Sequence, residues 1–104
     1  MKKNSTKGGT VRVYIAGKIT GNKNYMKQFS DAEELLTVFG CDVFNPAAHH
    51  VPGYNWAQYM RRDIAELVKC EKAFFMSNWV FSRGAWLEMI ICKVLGIDTC
   101  VFKV

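Results

Sequence analysis

Beyond its first ten residues, the chain alternates short β-rich apolar runs with longer stretches of helical spacing. Val11, Val13, Tyr14, Ile15 and Ala16 make a β-rich run that Gly17 ends, which predicts a first strand over 11–16. Residues 17–22 then read as a turn. Over 24–39 the apolar positions are Tyr25, Met26, Phe29, Ala32, Leu35, Leu36 and Phe39, the three-and-four spacing of an amphipathic helix, and Gly40 closes it. A short second strand follows over 41–44, ended by Asn45 and Pro46, and then a loop to Asn55. Residues 56–69 repeat the helical pattern with Trp56, Tyr59, Met60, Ile64, Leu67 and Val68, and Asn55 is placed to cap them. Asp63 falls between Met60 and Leu67 and so faces roughly inward. Residues 72–76 predict a third strand, 77–81 a loop, and 99–102 a fourth strand.

The most informative stretch is 85–95, where Glu88 and Lys93 are the only charges. A segment apolar nearly all round is a buried helix, not a surface one. Ser82 suits its N-cap and Gly96 its stop. Glu88 therefore sits among Gly84, Ala85, Ile91 and Cys92, none of them charged. A carboxylate so placed needs a partner from another element, a shifted pKa, or a ligand. A structural ion pair and a functional acid are both open at this point. Gly84, one turn earlier, leaves space over the carboxylate.

A helix between each pair of consecutive strands predicts an α/β domain with right-handed crossovers. The expected architecture is a small flavodoxin- or Rossmann-like three-layer sandwich. Its parallel sheet has about four strands in the order 2-1-3-4, with helices on both faces. Residues 1–10 read as a flexible basic tail and 11–104 as one domain. Ligands of such sheets bind beyond the carboxyl ends of the strands, at the switch point between the first and third. The loops expected there are 17–22 and 77–82.

Charge narrows the partners. Of the formal net charge of +5, Lys2, Lys3 and Lys7 supply three without a nearby acid, which leaves +2 for the rest. That balance is too weak to argue for a nucleic acid polymer and suits a small anionic ligand. Half of the residues are hydrophobic, as in a globular chain, yet no apolar run reaches the roughly 18–20 residues of a membrane span. The N-terminus is polar and shows no secretory signal, so a cytoplasmic location is expected. Cys41, Cys70, Cys92 and Cys100 show no CxxC and no ligand spacing, and read as four buried free thiols. Adjacent His49 and His50 in a loop do not suit one metal ion, so neither metal nor cofactor is expected.

The candidate chemistry converges on that rim. Gly17, Lys18, Thr20 and Gly21 form a glycine-bounded turn before a helix, able to offer N–H groups, a cation and a hydroxyl to an anion. A plain turn fits the same residues. Ser82, Arg83 and Gly84 open a second helix N-terminus, whose plain reading is a cap. Asp63 and Glu88 are two inward acids, and paired carboxylates are the apparatus for breaking a glycosidic bond. Tyr14 can orient one of them. Trp79 and Tyr54 can stack on a base, or serve simply as core.

Together these residues resemble the nucleoside 2-deoxyribosyltransferase superfamily, and more closely a small-domain branch found in phages and prophages. The matching motifs are Val13-Tyr14-Ile15-Ala16-Gly17-Lys18-Ile19-Thr20-Gly21, Asn45-Pro46-Ala47, Tyr59-Met60-Arg61-Arg62-Asp63-Ile64, Trp79, and Ser82-Arg83-Gly84-Ala85 with Glu88. The resemblance implies Glu88 as nucleophile, Asp63 as the acid that contacts sugar and assists proton transfer, and Tyr14 as the tyrosine holding the nucleophile. It implies substrate contacts for Gly17, Lys18, Thr20, Gly21, Asn45, Trp79, Ser82, Arg83 and Gly84. Ser82 stands where nucleoside 5'-monophosphate N-glycosidases carry a phosphate-binding serine and the transferases an aspartate. Thr20 stands where those hydrolases carry an arginine, which Lys18 can replace. The better-known enzymes continue into a fifth strand, and a neighbouring subunit often completes their sites.

The expected activity is cleavage of an N-glycosidic bond in a nucleoside or its 5'-monophosphate. The alternative is a nucleotide-binding module without chemistry. Self-association as a dimer or larger is also expected, because Trp56, Trp79, Trp86, Met60, Phe81 and Met89 are more apolar bulk than so short a sheet covers.

Overall fold

The computed structural model describes residues 10–103, so residues 1–9 of the expected tail lie outside the described residues. Four strands and three helices alternate: β1 (Arg12–Ala16), α1 (Tyr25–Val38), β2 (Asp42–Phe44), α2 (Trp56–Leu67), β3 (Lys72–Met76), α3 (Arg83–Leu95) and β4 (Asp98–Phe102). The sheet is parallel throughout, in the order β2-β1-β3-β4. This is the expected architecture. Two stretches read as loops instead contain short 3-10 helices, Pro46–Ala48 and Ser77–Phe81.

The period-2 alternation of β1 divides the core. Val13 and Ile15 face α1 and pack with Phe29, Ala32, Leu36, Phe74 and Met76. Tyr14 and Ala16 face the other way, with Leu67 of α2, Ala73 and Phe75 of β3, and Ala85 and Cys92 of α3. Burying each large side chain of this kind contributes about 1.5–3 kcal/mol. Both central strands are thus covered on both faces, which is why β1 and β3 read as continuous apolar runs.

Caps set the helix starts. Asn55 and Gln58 form a reciprocal capping box at α2, and Ser82 Oγ accepts from the Ala85 N–H at 3.2 Å at α3. Gly96 ends α3 in the left-handed conformation, at φ 73°, where glycine escapes the Cβ penalty.

The expectation of four buried thiols is corrected. All four are free, and Cys70 and Cys92 are buried, but Cys41 is half-buried and Cys100 exposed. Cys100 lies on β4, an edge strand exposed along most of its length. Among the described residues no helix is long and apolar enough to cross a membrane.

Candidate active site

The buried face of α3 consists of Gly84, Ala85, Glu88 and Cys92. It lies against β1, and the side chain it brings to Glu88 is Tyr14, at 0% exposure. The Tyr14 hydroxyl donates to Glu88 Oε2 at 2.5 Å, joining residues 74 apart in sequence. No ion pair among the described residues involves Glu88. Burial therefore dominates its chemistry and pushes the carboxyl up to about 8, against the Tyr14 hydrogen bond and with help from the charge of Asp63. Tyr14 is pushed well above the usual phenol range, by burial first and by the charge of Glu88 second.

Asp63 reaches the same place from α2 and is 7% exposed. Its surroundings differ in one respect. The Arg62 guanidinium donates from Nε to Asp63 Oδ1 at 2.7 Å. Burial raises the Asp63 carboxyl, while the hydrogen bond and charge of Arg62 pull it back. Two carboxyls thus share one cleft, Asp63 beside a cation and Glu88 beside a hydroxyl.

Arg62 does more than face Asp63. One terminal nitrogen donates to the His49 carbonyl at 2.7 Å and the other to the Pro46 carbonyl at 3.5 Å. The guanidinium also lies over the rings of Phe44 and Tyr59, at 5.8 and 5.6 Å. It therefore ties the loop after β2 to α2. Sequence reasoning included Arg62 in a motif but gave it no role. Its position next to Asp63 was the available signal.

A cavity of about 220 Å³ opens over the two acids. Tyr14, Gly17, Thr20, Asp63, Ser82, Gly84 and Glu88 of the expected site line it, together with Arg62, His50, Tyr59, Tyr25 and Trp56. A second hollow of about 230 Å³ adjoins it at the start of α3 and shares Thr20, Trp56, Ser82 and Gly84 with it, while adding Lys18 and Arg83. The Arg83 guanidinium stacks 3.8 Å from the Trp56 ring centre, and Lys18 Nζ donates to the Phe81 carbonyl at 3.3 Å. Gly17 and Gly84 permit close approach. A Cβ on Gly84 would lie 2.9 Å from Met60 Sδ, and one on Gly17 2.5 Å from Met76 Cε.

Three residues expected to contact substrate line neither cavity. Trp79 packs edge-on against Phe75 and tilts against Trp86, as core does. Asn45 caps the short helix after β2 through the Ala47 N–H and donates to Glu33. Gly21 serves the turn, at φ 75°. Tyr54 also stays outside, edge-on to Tyr59. The aromatic rings at the cavity come instead from Tyr14, Tyr25, Phe29, Trp56 and Tyr59. Among the described residues no group of three or more His, Cys, Asp or Glu side chains is placed to hold a metal ion.

Comparison with known proteins agrees with this fold. No curated protein matches the chain. A solved 2-deoxyribosyltransferase from the psychrotolerant bacterium Bacillus psychrosaccharolyticus superimposes with a TM-score of 0.72 at 21% identity, over 88% of this chain and 72% of that one. At that identity the likeness establishes a shared fold, the 2-deoxyribosyltransferase fold. The profile of one family, described as "Domain of unknown function (DUF4406)", matches residues 11–101, nearly all of the described structure, and the chain belongs to that family.

Proposed function

We propose that the chain cleaves the N-glycosidic bond of a nucleoside or nucleoside 5'-monophosphate, with Glu88 as the nucleophile. The observation that carries this reading is the buried Glu88 carboxyl, hydrogen-bonded to Tyr14, without an ion pair among the described residues and open to a cavity. The shared fold with a 2-deoxyribosyltransferase supports it.

In the reaction, ionised Glu88 attacks the anomeric carbon while the bond from that carbon to the base nitrogen breaks. The electron pair of that bond leaves with the base, which takes a proton. Asp63 manages that proton and holds the sugar. Tyr14 fixes the orientation of the attacking oxygen. Water, or a second base, then attacks the glycosyl ester and releases Glu88. The sugar lies over Glu88 and Gly84. A 5'-phosphate reaches the start of α3, where the first N–H groups, the Ser82 hydroxyl, Lys18 and Arg83 gather.

The test is incubation with a panel of nucleosides and their monophosphates, followed by chromatography for free base. Release that Glu88→Ala abolishes is expected. Release equal to wild type in Glu88→Ala would overturn the mechanism. Saturable binding without release would instead identify a nucleotide-binding module.

Self-association belongs to the same proposal. Leu87, Ile90 and Val94 line one exposed face of α3, at 36, 54 and 76% exposure, and Val101 and Phe102 on edge strand β4 are exposed as well. Phe81 and Trp86 extend the apolar surface, whereas Met60 is buried. A dimer mass by light scattering, lost in Val94→Lys, is expected. A monomer at every working concentration would refute it.

A further inference from the structure

The wall of the cavity beyond Arg62 carries a polar arrangement that the proposed mechanism leaves unused. Tyr59 Oη lies 3.0 Å from the Val51 N–H, 2.9 Å from the Val51 carbonyl and 2.9 Å from His50 Nδ1. A phenol has one proton to donate and two lone pairs to accept with. The Val51 carbonyl can only accept, so it takes the phenol proton. The Val51 N–H can only donate, so it fills one lone pair. His50 Nδ1 must then carry a proton and fill the other. In a neutral imidazole the second nitrogen, Nε2, is bare. No residue among those described bonds to it, and His50 lines the cavity.

We propose that His50, held by Tyr59 in its Nδ1–H form, accepts a hydrogen bond at Nε2 from the leaving base and selects bases that carry an exocyclic amino group. The inference rests on the reading of the cavity as a nucleoside site. The Asp63, Arg62, Tyr59 and His50 wall is the side on which the leaving group is protonated, so His50 meets the edge of the base. A base with an oxo group there sets a lone pair against the Nε2 lone pair and leaves both without a partner. Three of the five Arg62 N–H groups are already taken, by Asp63 and by the His49 and Pro46 carbonyls.

The experiment compares matched pairs, cytosine with uracil and adenine with hypoxanthine nucleoside monophosphates, at alkaline pH where imidazole is neutral. Both kcat/KM for base release and Kd by calorimetry are read. The wild type is expected to favour the amino member by about tenfold. His50→Phe should bring that ratio to about one by lowering kcat/KM and affinity for the amino member. Tyr59→Phe should lower it too, by freeing the ring to take the other tautomer. Nitrogen NMR of the free protein should show Nδ1 protonated and Nε2 bare. A neutral ring protonated at Nε2, or a ratio that His50→Phe leaves unchanged, would overturn the role of His50 while base release still stood. Absence of both nucleotide binding and release would remove the nucleoside reading and this inference with it.

Discussion

Replacing Glu88 by glutamine tests the physical premise of the site without reference to substrate. The amide keeps the shape and can still accept from Tyr14, but it cannot ionise. In the folded chain burial moves the Glu88 carboxyl from 4.5 to about 8. Between those values the folded state holds a proton that the unfolded state has released. Stability therefore falls as pH rises. The contribution of neutral Glu88 is fully present below about 4.5 and is lost as pH passes through about 8. At about 1.36 kcal/mol per pH unit, the whole change is on the order of 5 kcal/mol. That is a large share of the roughly 5–15 kcal/mol that holds a domain of this kind together. The assay is urea unfolding followed by tryptophan fluorescence, from about pH 5 to about pH 9, for wild type and Glu88→Gln. Most other titrating groups cancel in the difference. The two proteins should have similar stability at the acid end and separate steadily toward the alkaline end, with the glutamine variant the more stable. Parallel curves would show that Glu88 ionises as it does in water, and the argument for a dry acid beneath the cavity would fail.

The same titration sets the activity profile: if ionised Glu88 attacks, kcat/KM for base release should rise with pH and level off above about 8. Tyr14→Phe removes the hydrogen bond that holds this value down, so the rise should move to higher pH, and an unmoved profile would exclude Tyr14 as its partner. Arg62→Gln should push the Asp63 carboxyl further up and cost up to about 3 kcal/mol in urea unfolding, because a buried acid loses its cation and the loop after β2 loses two ties. Gly84→Ala sets a Cβ 2.9 Å from Met60 Sδ, and should lower stability by about 1–3 kcal/mol and weaken nucleotide binding, measured by thermal unfolding and calorimetry.

The element order, the sheet order and the helix caps follow from local signals that need no partner to be read: the periods of two and three-to-four, Asn55 and Ser82 before apolar runs, and Gly96 after one. The burial of Glu88 was expected from a helix apolar nearly all round, but α3 is buried on one face only, through Gly84, Ala85, Glu88 and Cys92, while Leu87, Ile90 and Val94 stay exposed; packing, not the uncharged pattern, put Glu88 on the buried side. What meets Glu88 is a different matter. Its contact with Tyr14 joins β1 to α3 across 74 residues, and spacing within either segment carries no trace of it; the position of Tyr14 on the first strand and the likeness to a family suggested the pair. The same holds for Arg62, which follows ordinary helical spacing yet reaches the carbonyls of His49 and Pro46 and two aromatic rings. It holds again for His50, whose tautomer depends on a phenol nine residues away. Trp79 illustrates the converse: a residue type suited to stacking on a base is instead half-buried against the edge of the core, between Phe75 and Trp86. The sequence by itself determined the elements, their order and the residue types each carries, but not every burial: Cys41, Cys100 and the Leu87, Ile90 and Val94 face of α3 are less buried than their apolar surroundings implied. Only the tertiary structure decided which side chains touch, because a hydrogen bond or ring contact is fixed by distances of a few ångströms between segments whose separation along the chain says nothing about them.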